Sequence, residues 1–164
     1  MFLRHFFLAI AVLFSCTIVS PAEGAPAFDN SDKIAIDQMY ARYFQAFVAQ
    51  DYKTLRECVE APFVVMRGGA MQTLESVDAV TTFYQNQRQA LAQRGYDHSK
   101  LLKTQITPLT ADSALINKSY TRYKKDGSTL EQGAALYPVS KSSGMWKLRG
   151  VIGQDPQYFG KLLR

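Results

Sequence analysis

The spacing of apolar and polar positions divides the chain into a helical first half and a second half of strands. From Lys33 to Gln50, apolar side chains recur every three or four residues. This period predicts an amphipathic helix of about five turns, and Ser31 or Asp32 is suited to cap its first amides. A short second helix is expected over 51–59 and a third over 76–95, where Gly95 is a stop signal.

Strands are expected wherever the helical period is lost. Two short runs on either side of Gly68-Gly69 predict a hairpin. Beyond residue 100, four β-rich runs of about nine residues alternate with turn-forming segments; they span 101–109, 114–123, 129–139 and 145–153. Four strands joined by tight turns predict an antiparallel meander. With three helices covering one face of that sheet, the predicted fold is a two-layer α+β domain.

The first 27 residues have the layout of a signal peptide. Arg4 and His5 precede a run of about 14 apolar residues, and small residues follow it, with cleavage expected after Gly24 or Ala27. The run is too short for a stable membrane span, which needs about 20 residues. We therefore expect a signal peptide at 1–27, one domain at 28–164 and a periplasmic or secreted protein. A lipid anchor at Cys16, within a lipobox-like segment, is the alternative.

Charge and cysteine usage change the picture in two ways. Residues 28–99 hold seven Lys or Arg against nine Asp or Glu, whereas residues 100–164 hold eleven against four. The basic second half can attract anionic ligands or surfaces, although the sequence carries no nucleic-acid motif and no phosphate-binding glycine loop. Once the signal peptide is removed, Cys58 is the remaining cysteine, so the domain has no intramolecular disulfide.

The order of elements and three late segments carry a resemblance to a known superfamily. The segments are 120–127, 136–141 and 144–148, with an aromatic residue and Arg before Asp126-Gly127 and a Trp-x-aliphatic step at Trp146. They resemble the nuclear transport factor 2-like (cone) superfamily, in particular its SnoaL-like and association-domain-like branches. The resemblance implies three N-terminal helices packed on a strongly curved antiparallel sheet, an apolar pocket between them, and a homodimer.

Candidate ligand-binding residues are those expected to face such a pocket. They lie on the inward faces of the helices and on strands of the meander: Tyr40, Tyr43, Tyr84, Gln87, Tyr120 and Trp146. Tyr120 shares one strand face with Lys118 and Arg122. If that face points inward, the three side chains form an anion-accepting pocket; if it points outward, they are surface residues.

Candidate catalytic groups are few. Asp155 is the best-placed carboxylate, because the last strand lines the cone in similar proteins, although Asp155-Pro156 is also an ordinary chain-turning pair. Asp97 and His98 are adjacent, and an extended chain directs neighbouring side chains to opposite sides, so they are not expected to form a dyad. One histidine in the mature part and no ligand spacing predict no metal site, and no cofactor is implied.

Three functional hypotheses remain at this stage. The first is an exported, non-catalytic cone domain that binds a small apolar or amphipathic ligand or mediates self-association. The alternative is a SnoaL-like isomerase, dehydratase or hydrolase, with Asp155 as base and Tyr40, Tyr84 or Gln87 as polarising groups. The third is a secretion-associated interaction module, for which the basic second half is the sequence hint. Fold alone does not choose between these classes.

Overall fold

The computed structural model of the protein describes residues 27–161. Residues 1–26 of the expected signal peptide, which include the cleavage site after Gly24 and the lipobox at Cys16, therefore lie outside the described residues. Within that range, no helix combines the length and the apolar character needed to cross a membrane.

Three α-helices are present in the described part of the chain: α1 (Asn30–Ala49), α2 (Tyr52–Cys58) and α3 (Val77–Gln93). Helix α1 begins earlier than its periodicity indicated, because Asp29 is the N-cap. The Asp29 side chain accepts hydrogen bonds from the Ser31 and Asp32 amides, and the Asp32 side chain accepts one from the Asp29 amide. This reciprocal capping box satisfies amides that the first turn leaves unpaired.

Six strands follow or separate the helices: β1 (Val59–Arg67), β2 (Ala70–Leu74), β3 (Tyr96–Thr110), β4 (Ser113–Lys124), β5 (Thr129–Ser142) and β6 (Met145–Gln154). They form one sheet in the order β2-β1-β6-β5-β4-β3. The meander β3–β6 is antiparallel, as expected, but β1 pairs with β6 in parallel, so the sheet is mixed. The local sequence pattern could not predict this parallel pairing, because β1 and β6 are neighbours in the sheet but far apart in the chain.

The core lies between the helical layer and the inner face of the sheet. Ile36 on α1, Leu55 on α2 and Val80 on α3 are fully buried, and they meet Ile116 and Leu148 of the sheet. Helical residues three or four apart share a face, as do strand residues two apart, so the apolar stripes of both layers converge. The α+β fold class is confirmed, with three helices on a curved mixed sheet.

Candidate ligand-binding site

A cavity of about 80 Å³ lies between α1, α3 and the inner face of the sheet. We call it the inner cavity. It reaches the protein surface at Met66, Arg67 and Gly153, which are exposed. Its lining residues are Tyr40, Tyr43, Phe44, Phe47, Val65, Met66, Arg67, Phe83, Tyr84, Gln87, Ser99, Tyr120, Arg122, Ala134, Ala135, Tyr137, Val151 and Gly153.

Element periodicity explains how these side chains come together. On α1, Tyr40, Tyr43 and Phe47 follow the helical repeat, and Gln87 lies one turn after Tyr84 on α3. The strands contribute every second residue, as the pleat requires. The inward alternative for the β4 face is therefore the one realised, because Tyr120 and Arg122 both line the inner cavity.

Buried tyrosines form the polar part of this cavity. Tyr40 and Tyr137 meet edge to face with ring centroids 5.0 Å apart, and Tyr43 and Tyr84 do so at 5.5 Å. Burial raises the pKa of Tyr40, Tyr43 and Tyr84 well above the ordinary value for a phenol, and raises that of Tyr137 to about 12. All four hydroxyls are therefore protonated at neutral pH and can donate hydrogen bonds.

The Tyr84 hydroxyl differs from an ordinary buried polar group. Tyr84 is only 1% exposed, and its hydroxyl makes no hydrogen bond of ordinary geometry within the described range 27–161, although the Tyr43 hydroxyl is close enough to influence its pKa. Leaving such a group unsatisfied costs about 1–3 kcal/mol. A ligand with a hydrogen-bond acceptor in the inner cavity would recover that free energy.

Charged residues surround the mouth of the inner cavity, in an adjoining second cavity of about 180 Å³. Arg67, Gln87 and Arg122 line both cavities, and Arg94 and Glu131 line the second. We call Arg67, Arg94 and Arg122 the arginine rim. Arg94 Nη2 lies 2.5 Å from Glu131 Oε2, and Arg122 Nη1 pairs with Glu131 Oε1. Burial raises the pKa of Glu131, but the hydrogen bonds from both guanidinium groups outweigh it and leave the pKa below its ordinary value.

Tyr120 is held against β5 by the absence of a side chain at Gly133. The two residues are directly opposite each other in the β4–β5 ladder. A Cβ atom built on Gly133 would lie 2.5 Å from the Tyr120 ring, closer than real Cβ contacts. The Arg122 guanidinium lies over the Tyr120 ring at 4.6 Å from its centroid, a cation–π contact. Gly133 therefore sets the position of two cavity residues.

Asp155 lies outside the inner cavity. It lines a third, outer cavity of about 260 Å³, which shares Arg67, Tyr120, Ala134 and Gly153 with the inner one. The carboxylate is exposed and caps a short 3₁₀ helix, Pro156–Tyr158: Asp155 Oδ1 accepts from the Gln157 amide at 3.0 Å. Its oxygens therefore already have a structural role in ending β6.

Trp146 and Lys118 lie apart from the cavities. Trp146 packs at the start of α1, where its indole Nε1 donates to Asp32 Oδ1 at 3.0 Å. Lys118 points inward, but its ammonium donates to Thr104 Oγ1 at 2.6 Å and lies over the Tyr40 ring. The other candidates, Tyr40, Tyr43, Tyr84, Gln87 and Tyr120, converge on the inner cavity.

The expectation that Asp97 and His98 diverge is wrong. His98 Nδ1 lies 2.8 Å from Asp97 Oδ2, because a register shift between Tyr96 and His98 interrupts the β3–β4 ladder. Both side chains are about half exposed, and the imidazole stacks on Tyr123 at 5.0 Å, away from the described cavities. Within residues 27–161, no group of three or more His, Cys, Asp or Glu is placed to hold a metal ion.

Several lining residues had no local signal in the sequence. Arg67 ends a strand, Arg94 follows the end of a helix and Glu131 lies near the start of a strand. Charged residues at such positions are usually solvated. Gly133 did carry a signal, because glycine inside a strand often marks a close approach. The convergence of these four positions depends on the pairing of β1 with β6 and of β4 with β5.

The fold and the cavity define a class: small α+β cone domains in which helices and a curved sheet enclose an internal cavity. A family model described as "NTF2-like protein (DUF6841)" matches residues 31–156. The chain belongs to this NTF2-like family. No curated protein matches the chain significantly.

Solved structures share the fold at low sequence identity. A protein of unknown function with a cystatin-like fold from Nostoc punctiforme has a TM-score of 0.63 at 14% identity, over 82% of this chain and 98% of its own. A provisionally assigned ketosteroid isomerase from Shewanella frigidimarina has a TM-score of 0.60 at 16% identity, over 73% and 94%. A provisionally assigned aromatic ring hydroxylase from Novosphingobium aromaticivorans has a TM-score of 0.59 at 17% identity, over 77% and 90%. At these identities the likeness concerns the fold alone.

Proposed function

We propose that the protein binds a small amphipathic molecule in the inner cavity and releases it chemically unchanged. The observation that carries this proposal is the Tyr84 hydroxyl, a buried donor that makes no hydrogen bond of ordinary geometry with the described residues. It belongs to a cavity whose lining is rich in aromatic side chains. Apolar walls with a few directed polar groups are typical of small-molecule sites.

The composition of the lining favours binding over acid–base chemistry. Of the described residues that line the inner cavity, none is Asp, Glu or His. The tyrosines have raised pKa values, so they serve as donors and are poor bases at neutral pH. Arg122 and Gln87 add further donors at the mouth.

The size of the cavity limits the ligand. A cavity of about 150 Å³ can hold benzene, whereas the inner cavity has about 80 Å³. A short alkyl group is compatible with this volume, whereas an aryl ring would require lining side chains to move. The rest of the ligand would extend into the second cavity.

The test compares two Tyr→Phe variants. Tyr84→Phe removes the cavity hydroxyl, whereas Tyr158→Phe removes one from a residue that is 52% exposed and lines none of the three cavities. We expect Tyr84→Phe to weaken binding of small polar aromatics about tenfold, the effect of one lost hydrogen bond of roughly 1.4 kcal/mol. Isothermal titration of a fragment set against both variants and wild type measures this, and equal affinities for all three proteins would contradict the proposal.

The alternative is an enzyme with Asp155 as base. The observation favouring it is that the outer cavity containing Asp155 shares Arg67 and Tyr120 with the inner cavity. Mass spectrometry of bound compounds after prolonged incubation separates the two functions. Recovery of unchanged ligand supports binding alone; product formation that is lost in Asp155→Asn supports the enzyme.

Export and self-association belong to the same proposal. The N-terminal sequence pattern supports an exported protein, in the periplasm or secreted, with residues 28–164 as the mature domain. The resemblance to cone proteins supports a homodimer. Native mass spectrometry of the protein recovered from the producing cells reports the cleavage site, any acylation at Cys16 and the oligomeric state together.

A further inference from the structure

We propose that the arginine rim selects a small organic monocarboxylate whose apolar end enters the inner cavity. This inference rests on the proposed binding function and adds the chemical class of the ligand. Its basis is the combination of excess positive charge, unpartnered donors and an apolar space beside them.

The first observation is a charge imbalance at the mouth. Of the described residues that line the inner and second cavities, Arg67, Arg94 and Arg122 are cationic and Glu131 is anionic. The lining therefore carries a formal charge of +2 from these residues. A concave, partly desolvated site with such an excess attracts anions more strongly than an open surface does.

The second observation concerns which donors remain. Glu131 binds Arg94 through one oxygen and Arg122 Nη1 through the other. Arg122 Nε is buried without a partner in the described residues, and Arg122 is only 8% exposed. The Arg67 side chain makes no hydrogen bond or ion pair with any residue that the structure describes, although it lines all three cavities. A carboxylate of the ligand would accept hydrogen bonds from the guanidinium groups of Arg67 and Arg122, because the planar donor fork of arginine matches the two oxygens of a carboxylate.

The third observation explains why the ligand has one negative charge and an apolar body. Glu131 remains in the rim with its pKa lowered, so it repels a second negative charge on the ligand. Beyond the rim, Phe44, Phe47 and Phe83 line the inner cavity. A carboxylate head at Arg67 and Arg122 would therefore place an alkyl or aryl tail among these rings.

The experiment uses matched pairs of charged and neutral ligands. Isovalerate and phenylacetate are titrated into the purified protein by calorimetry, each beside its neutral amide, and phenyl phosphate serves as the dianion. The variants are Arg67→Gln and, as the control, Arg42→Gln, which removes an exposed Arg on the outer side of α1 that lines none of the three cavities. Circular dichroism verifies the fold of each variant.

The proposal expects each carboxylate to bind at least tenfold more tightly than its amide, with the difference shrinking in added salt. Arg67→Gln should weaken carboxylate binding by about tenfold and leave amide binding unchanged, while Arg42→Gln changes neither. Phenyl phosphate should bind more weakly than phenylacetate.

Three outcomes would overturn the inference. Equal affinity for acid and amide would remove the carboxylate assignment while leaving the inner cavity as a binding site. Tighter binding of phenyl phosphate than of phenylacetate would mean that the site prefers a dianion to a monocarboxylate. Absence of binding for every compound, together with no effect of Tyr84→Phe across the fragment set, would end both the inference and the proposed function.

Discussion

At the residue scale, the site depends on what Gly133 lacks. Its missing side chain lets the Tyr120 ring approach the backbone of β5, and that ring in turn lies against the Arg122 guanidinium. The absence of a side chain at Gly133 therefore affects the position of Tyr120 in the inner cavity and of Arg122 in the arginine rim. Glycine in a strand interior is otherwise unfavourable, so we infer that glycine is present here because it leaves room for the Tyr120 ring.

Gly133→Ala should therefore disturb both stability and binding. The new methyl group would meet the Tyr120 ring at 2.5 Å, which forces the ring to move. Overpacking of this kind costs about 1–3 kcal/mol, and the displaced ring should weaken ligand binding as well. Urea denaturation followed by tryptophan fluorescence measures the free energy of unfolding.

Gly153→Ala is the matched control for that change. Gly153 is also a strand glycine at the inner cavity, but a Cβ there would find its nearest neighbour at 3.6 Å, an ordinary contact. Its free energy of unfolding should stay within about 0.5 kcal/mol of wild type. Equal destabilisation of the two variants would show that Gly133 has no special role.

Loss of the Tyr84 hydroxyl should leave the fold intact. Because the hydroxyl makes no hydrogen bond of ordinary geometry with the described residues, Tyr84→Phe removes a desolvated polar group at little cost in hydrogen bonding. The melting temperature should be equal to or above that of wild type in the absence of ligand. A marked fall in melting temperature would mean that the hydroxyl has a structural partner, and would weaken its assignment to a ligand.

At the scale of elements, the start of α1 is tied to the meander by Asp32. This side chain completes the capping box, accepts from Trp146 Nε1 on β6 and pairs with Lys141 Nζ of β5 at 2.9 Å. The hydrogen bond from Lys141 is the main reason that the pKa of Asp32 lies below its ordinary value of 3.8. One carboxylate therefore fixes a helix terminus relative to two strands.

This pKa shift gives a pH dependence with a definite sign. A carboxylate whose folded pKa is depressed stabilises the protein above its unfolded pKa, and that stabilisation is lost as pH falls through the folded value. The contribution of Asp32 should therefore be full above about pH 4–5 and decline in more acidic solution. Thermal unfolding of wild type between pH 6 and pH 2.5 should show this decline.

Asp32→Asn should flatten part of that acid-side decline, because the substituted amide does not titrate. Glu75→Gln is the control, since Glu75 is exposed and makes no hydrogen bond or ion pair with the described residues. The control should keep the wild-type pH profile. If Asp32→Asn also kept it, the Asp32 network would not contribute to acid stability.

Local sequence patterns predicted the helices and strands better than they predicted which strands pair with each other. Periodicity found the three helices and the meander, because both depend on residues close in sequence. It did not reveal that β1 pairs in parallel with β6, or that Arg67 and Arg122 line the same cavity, since both depend on strand order. The Asp97–His98 contact was missed for a related reason: a register shift removes the strict alternation on which the expectation rested.

At the scale of the whole molecule, both layers share one core. Leu148 on β6 is fully buried and belongs to the same cluster as Leu55 and Cys58 of α2. Cys58 is 1% exposed, its Sγ lies 3.4 Å from the Thr54 carbonyl, and burial raises the pKa of its thiol. A thiol reagent needs both access and thiolate, so labelling of Cys58 requires the layers to separate.

Thiol labelling should therefore follow global unfolding. Leu148→Ala should lower the free energy of unfolding by about 2–5 kcal/mol. When reclosing is faster than labelling, the rate of Cys58 labelling should rise by the same factor as the equilibrium constant of unfolding. Leu102→Ala, at a residue 52% exposed on β3, should change neither quantity. Labelling is quantified by mass spectrometry of the peptide containing Cys58, which keeps it separate from Cys16. Labelling that stays fast in wild type and unchanged in Leu148→Ala would mean that α2 opens independently, and that the helical layer is not held by the shared core.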